Sequence, residues 1–253
     1  MVIADKQTPL VILIGQHVCG KTSVLIRLSR FLMNEGWRVS PLKNFHPNSR
    51  TYQFYCDAFV RMVFCDDLSQ WCSIPDILLE VIDNRGRKVC QLLKYDSERF
   101  LDENTLTNDS AEVFSRHQGN LTIIPFISDY PKDVHLFIDR VRKAQSLIRT
   151  VKGKVRWLFL YNKIDLMFGH YWQIKDGYQY VKHMINYNYP GLFDSFRASG
   201  FHSLWSPYNC SLMPFSSGHF VSTTTPSGKE IDLYLQSPEC VPNRLWDYIL
   251  KGL

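Results

Sequence analysis

The chain has 253 residues, 45% of them apolar and 21% charged, with a formal net charge of +5. This is enough apolar material for a sizeable core, and no run approaches the roughly 20 apolar residues that span a bilayer, so no membrane segment is expected. The first residues lack a basic stretch leading into an apolar one, and the seven cysteines include no C-x-x-C pair; both point to a cytoplasmic protein with reduced thiols rather than an exported or zinc-binding one.

Strand-like and helix-like patterns alternate along the chain, which predicts an α/β fold with a mostly parallel sheet covered on both faces. Residues 10–14 form a continuous apolar run ending in Gly15, the pattern of a central strand. The period then turns helical: Val24, Leu25, Leu28, Phe31 and Leu32 share one face, and Gly36 supplies the stop. A strand is expected over 39–42, within a stretch of about 37–76 that is rich in aromatics and cysteines and has no clean period. A connection of that length reads as an inserted or switch-bearing segment.

Residues 77–82 and 89–95 read as two strands joined by a turn at Asp83-Asn84-Arg85-Gly86-Arg87. Strands over 121–127 and 155–161 flank a helix running from Pro131 to about Arg149. The densest basic segment, 140–154, lies at that helix end, where cations favour the helix dipole, so a nucleic-acid partner is not required. A helix over 177–186, a last strand over 209–215, an extra hairpin over about 218–237 centred on Pro226-Ser227-Gly228, and a closing helix over 241–250 complete a chain read as one domain.

Two motifs carry chemistry. Residues 15–22, Gly-Gln-His-Val-Cys-Gly-Lys-Thr, match G-x-x-x-x-G-K-[ST] at every fixed position, between an apolar strand and an amphipathic helix. Glycine lets the backbone wrap so that successive N–H groups point at phosphate oxygens, and the helix N-terminus adds positive potential. Lys21 would reach the outer phosphates and Thr22 would ligate magnesium. Asn162-Lys163-Ile164-Asp165 follows the strand over 155–161. A carboxylate there can accept the paired N1–H and amine donors of guanine, which adenine does not offer, while a lysine stem packs on the purine and an asparagine ties the loop to the phosphate loop.

These motifs resemble those of Ras-like P-loop GTPases of the translation-factor-related class, and the divergent layout looks most like the bacterial double-GTPase group associated with conflict systems. The resemblance covers most of the chain in order and implies a three-layer G domain with one antiparallel hairpin strand. Its implied ligands are GTP or GDP with Mg²⁺, and its implied partner is a protein or multi-subunit assembly. Carried over by position, the nucleotide contacts are Gly15, His17, Val18, Cys19, Gly20, Lys21, Thr22, Ser23, Asn162, Lys163, Asp165, Ser216 and Ser217, with Lys21 and Thr22 the catalytic pair. The metal set is Thr22, Ser73 and Asp96; Asp83, which formally matches D-x-x-G with Gly86, and Thr51 are the competing candidates.

The chain also departs from the family pattern. After Asp96 the expected glycine, and the glutamine that orients water, are missing; Glu98 and Gln118 are the conceivable substitutes, and His17 fills a loop position where efficient switches carry a small residue. Two functions are therefore carried forward. One is a GTP-binding switch with slow magnesium-dependent hydrolysis. The other is a hydrolysis-deficient guanine-nucleotide-binding interaction subunit. A small-molecule kinase ranks last, because Arg140, Arg142 and Arg149 are spread along one helix rather than clustered on a lid.

Overall fold

A computed structural model of the chain describes residues 6–46, 48–110, 117–128, 132–148, 154–163, 177–198 and 208–253. Strands β1 Leu10–Ile14, β2 Arg38–Pro41, β3 Ile77–Ile82, β4 Lys88–Lys94, β5 Leu121–Ile127, β6 Val155–Tyr161 and β7 Ser211–Pro214 form one sheet in the order β2-β3-β4-β1-β5-β6-β7. From β4 to β7 the neighbours pair in parallel, and β3 runs antiparallel to both β2 and β4.

β1 is apolar at every position because both of its faces are covered. Leu10, Ile12 and Ile14 pack with Leu93, Tyr95, Ile123 and Phe159 on one face. Val11 and Leu13 pack with Leu92, Ile124, Leu158 and Leu160 on the other. Helix α1, Lys21–Asn34, and the closing helix Cys240–Leu250 cover the second of these faces. Helices over Val134–Ile148 and Gly177–Asn188 cover the first, together with α3, Ser97–Leu101, and α4, Glu103–Asp109. No helix among the described residues is long and apolar enough to cross a membrane.

The stretch over 37–76 holds β2 and a full helix, α2, Arg50–Val63, which the sequence pattern did not announce. Its buried residues Tyr52, Cys56, Phe59, Met62 and Val63 do recur at helical spacing. The period is hidden because Phe54, Val60 and Phe64 are apolar yet exposed on the outer side. Several boundaries also move: β2 begins one residue earlier than expected, β7 is shorter at both ends, and the 177 helix runs on to Asn188. The helix expected from Pro131 begins at Val134; Pro131 and Arg149 lie outside the described residues.

Strands β8 Gly218–Thr224 and β9 Glu230–Gln236 form a separate ribbon, as the turn signal at 226–228 predicted. The ribbon is seated on the segment that leads to β3: Tyr234 N–H donates to the Asp66 carbonyl at 2.8 Å, and Trp71 meets the rings of Tyr234 and Phe220 at 5.0 and 5.5 Å. This arrangement places an aromatic from late in the sequence beside the phosphate-loop end of the sheet.

Candidate functional site

Parallel strands bring their C-terminal ends to one edge, and that is where the loop over 15–20 joins β1 to α1. Val18 and Gly20 adopt positive φ, 53° and 86°. For Val18, β-branched and 75% exposed, this is a strained conformation that sequence preference alone would not select. Gly20 has a steric reason to be glycine: a Cβ there would lie 2.1 Å from Asn162 Nδ2. α1 starts at Gly20 without a side-chain cap and without an acidic residue in its first turn, so its positive end is open to an anion.

Lys21 is buried and folded back over its own loop. Its ammonium donates to the carbonyls of Gly15 at 2.7 Å and Gln16 at 2.8 Å, and to Ser97 Oγ at 2.7 Å. These acceptors are neutral; a phosphate oxygen in their place makes a charge-assisted bond roughly twice as strong. The loop is braced from the side by Gln16, which donates to the Asp133 carbonyl at 2.8 Å and accepts from Lys132 N–H at 3.2 Å.

The two sequence motifs meet. Asn162 is fully buried and its Nδ2 donates to the Cys19 carbonyl at 3.0 Å, tying the loop after β6 to the phosphate loop. Lys163 follows with a positive φ of 65°. Asp165 lies outside the described residues.

A cavity of about 330 Å³ is lined by His17, Val18, Cys19, Gly20, Lys21, Thr22, Ser23, Ser73, Lys94, Ser97, Lys163 and Phe220. Nine of these belong to the set expected from sequence; Lys94, Ser97 and Phe220 do not. Gly15, Asn162, Asp96, Ser216 and Ser217 are not among the lining residues. Ser216 Oγ accepts from Gly218 N–H at 3.2 Å and the Ser217 carbonyl accepts from Tyr234 Oη, so both serve the turn into the ribbon. Asp96 caps α3, its Oδ1 accepting from Glu98 and Arg99 N–H at 2.9 and 3.0 Å.

The competing candidates sit elsewhere. Asp83 closes the β3–β4 hairpin at the opposite end of β4 from the cavity, accepting from Arg85 and Arg87 N–H and from Arg87 Nε. Those bonds, the Arg87 backbone first, hold its carboxyl below the usual range. Thr51 faces a different cleft with Tyr55, Pro75 and Asp76. Gln118 bonds Lys6 just before β5 begins, at the far end of the sheet, so it does not substitute for a water-orienting glutamine there. Glu98 stays close, 3.6 Å from His17 Nε2 across an exposed pair.

Behind the cavity, Asp76 accepts from Asp96 N–H at 2.7 Å and faces Arg99 at 3.6 Å. Burial pushes its pKa up to about 6 against the pull of Arg99. Lys94 donates to the carbonyls of Ile74 and Pro75. Burial, and then the Lys21 charge, push Lys94 down to about 8.

The phosphate-binding features fit the residues present: an uncapped helix start, left-handed loop residues, and lysines without a carboxylate among the described lining. For magnesium, the Thr22 and Ser73 hydroxyls share the cavity, and Asp96 directly precedes Ser97 in its wall. Strand order, the glycine-rich loop between β1 and α1, and helices on both sheet faces define a three-layer P-loop α/β fold of the Ras-like G-domain type.

No protein-family model and no curated protein matches the sequence. Solved structures align with its fold. The Ski7 GTPase-like domain of S. cerevisiae, bound to GTP, aligns at 14% identity and TM-score 0.46 over 83% of this chain and 43% of its own. A signal recognition particle receptor SRb-GTP/SRX complex from Chaetomium thermophilum aligns at 10% identity and TM-score 0.47 over 98% and 99%. An ADP ribosylation factor-like GTP binding protein/small COPII coat GTPase SAR1 from Encephalitozoon cuniculi, in complex with GDP, aligns at 11% identity and TM-score 0.42 over 83% and 69%. The chain thus spans less than half of the Ski7 chain it is similar to.

Proposed function

We propose that the cavity binds a guanine nucleotide with magnesium, and that the chain hydrolyses GTP slowly as a switch or regulatory subunit of a larger assembly. The observation that supports this reading is the 3.0 Å bond from Asn162 to the Cys19 carbonyl, which joins the first residue of the Asn162-Lys163-Ile164-Asp165 motif to the loop over 15–20. In this reading the N–H groups of residues 17–22 and the Lys21 ammonium hold the phosphates, and Lys163 and Asp165 hold the base. Thr22, Ser73 and Asp96 would hold the magnesium, which would supply divalent charge to offset that of the phosphates.

Catalysis is then mostly positioning and charge stabilisation, and among the described residues no glutamine lines the cavity to orient water. Arg99 fills the place at which the family pattern has glycine, and it is committed to Asp109 at 2.6 and 2.7 Å. This favours slow turnover, or turnover completed by a partner's residue. A hydrolysis-deficient interaction subunit is the second reading, favoured by that same lost glycine.

Lys21→Ala separates the site from the fold. Binding of a fluorescent GTP analogue weakens by at least about tenfold while the melting transition stays cooperative, since one charge-assisted contact is removed. Unchanged binding in that variant overturns the reading. Metal-dependent phosphate release, measured with and without candidate partners, decides between the enzyme and the subunit.

A further inference from the structure

The described lining of the cavity holds three lysines, Lys21, Lys94 and Lys163, and no carboxylate. Lys21 and Lys163 belong to the motifs; Lys94 has no role so far. It ends β4, its chain on the same side of the sheet as Leu92, and is 6% exposed. Among the described residues it makes no ion pair, and its ammonium rests on two neutral carbonyls, Ile74 and, at 2.8 Å, Pro75. A buried cation whose hydrogen bonds go only to neutral carbonyls is costly even with the Asp76 and Asp96 charges nearby, and an ammonium has a third donor to give.

Strand order says which end of a ligand Lys94 meets. β6, which delivers Lys163, lies two strands to one side of β1, and β4, which delivers Lys94, is next to β1 on the other side. A nucleotide with its base at Lys163 therefore runs its phosphates across the loop at Lys21 toward the end of β4. There Lys94 shares the wall with Ser73 and Ser97.

We propose that Lys94 is a second phosphate-binding cation of this cavity: it takes the terminal phosphate of a nucleoside triphosphate with its free donor, and through the Ile74 and Pro75 carbonyls it fixes the segment 73–75 when that phosphate is present. The inference rests on the nucleotide reading above and extends it to how a triphosphate is told from a diphosphate. Lys94 supplies from a side chain the terminal-phosphate contact that the Arg99 N–H, which donates to Asp96 Oδ1 at 3.0 Å, does not make.

The test uses the full chain, with GDP and the slowly hydrolysed analogue GTPγS as probes and Lys94→Met as the variant, which keeps the stem and removes the charge. Expected is a loss of GTPγS affinity of about tenfold or more, with GDP affinity within about twofold of the unmodified chain, because only the triphosphate reaches the ammonium. Equal losses for both nucleotides, or no loss for either, overturn the proposal while leaving nucleotide binding intact. If the unmodified chain binds neither probe, the nucleotide reading and this inference fail together. Should Lys94→Met not fold, hydrogen exchange on the unmodified chain decides: amides around residues 73–76 are slowed more by GTPγS than by GDP, and equal protection overturns the proposal.

Discussion

Gly20 and Asn162 are 142 positions apart in sequence, yet the site needs them as a pair, and this can be measured. In Gly20→Ala the new Cβ falls 2.1 Å from Asn162 Nδ2. The amide must swing away and release the Cys19 carbonyl, which is buried, and an unmet buried acceptor costs about 1–3 kcal/mol. Holding alanine at a φ of 86° adds roughly 1–2 kcal/mol, so the single variant is destabilised by roughly 2–5 kcal/mol. Asn162→Ala alone loses the same bond, about 1–3 kcal/mol. In the double variant the clash is gone and the bond is already lost. Its cost is then close to that of Gly20→Ala, leaving a coupling of roughly 1–3 kcal/mol. Urea denaturation of the four proteins measures it. Costs that simply add would refute the contact as the reason for glycine at position 20.

Two further outcomes follow from the same geometry. Asp76 has its pKa pushed up from 3.8 to about 6, chiefly by burial, so the folded state holds its proton more tightly than the unfolded chain. That contribution is fully present below pH 3.8 and is lost as pH rises through about 6; in EDTA the chain should lose on the order of 3 kcal/mol relative to Asp76→Asn between those limits, seen by denaturation at several pH values. Phe220 lines the cavity from the ribbon and packs on Trp71 and Tyr234, so Phe220→Ala should lower the melting temperature by only a few degrees but weaken nucleotide binding by about fivefold to tenfold in a fluorescence titration.

What could be read from sequence depended on how local each signal is. β1, the phosphate loop and α1 are contiguous, and the change from a continuous apolar run to a helical period at Lys21 marks them without tertiary information. The Pro-Ser-Gly turn likewise marks the ribbon, since Gly228 takes a φ of 81° there. α2 was hidden because its solvent side carries Phe54 and Val60, and exposed Phe64 follows it, so the apolar stripe does not stand out. α3 and α4 have five and seven residues, too short to show a period; the signal was the capping carboxylates of Asp96 and Asp102.

The site was legible wherever the motif residues line the wall themselves, as at Lys21, Thr22 and Lys163. It was not legible where the fold brings in strangers. Lys94 carries one faint sequence signal, a lysine inside the apolar end of a central strand, Leu92-Leu93-Lys94-Tyr95, where a buried charge needs a reason. Phe220 carries none, because its place depends on how the ribbon packs on Trp71 and Tyr234.

The central claim is guanine recognition by the loop that Asn162 anchors. The direct measurement is displacement of a fluorescent guanine nucleotide by GTP, GDP and ATP, for the unmodified chain and for Asp165→Asn, with magnesium present. The account predicts that GTP and GDP displace the probe, that ATP does not, and that Asp165→Asn weakens guanine binding by at least about tenfold. Equal displacement by ATP, or a variant that binds as well as the unmodified chain, would contradict it and reduce residues 162–165 to a turn after β6.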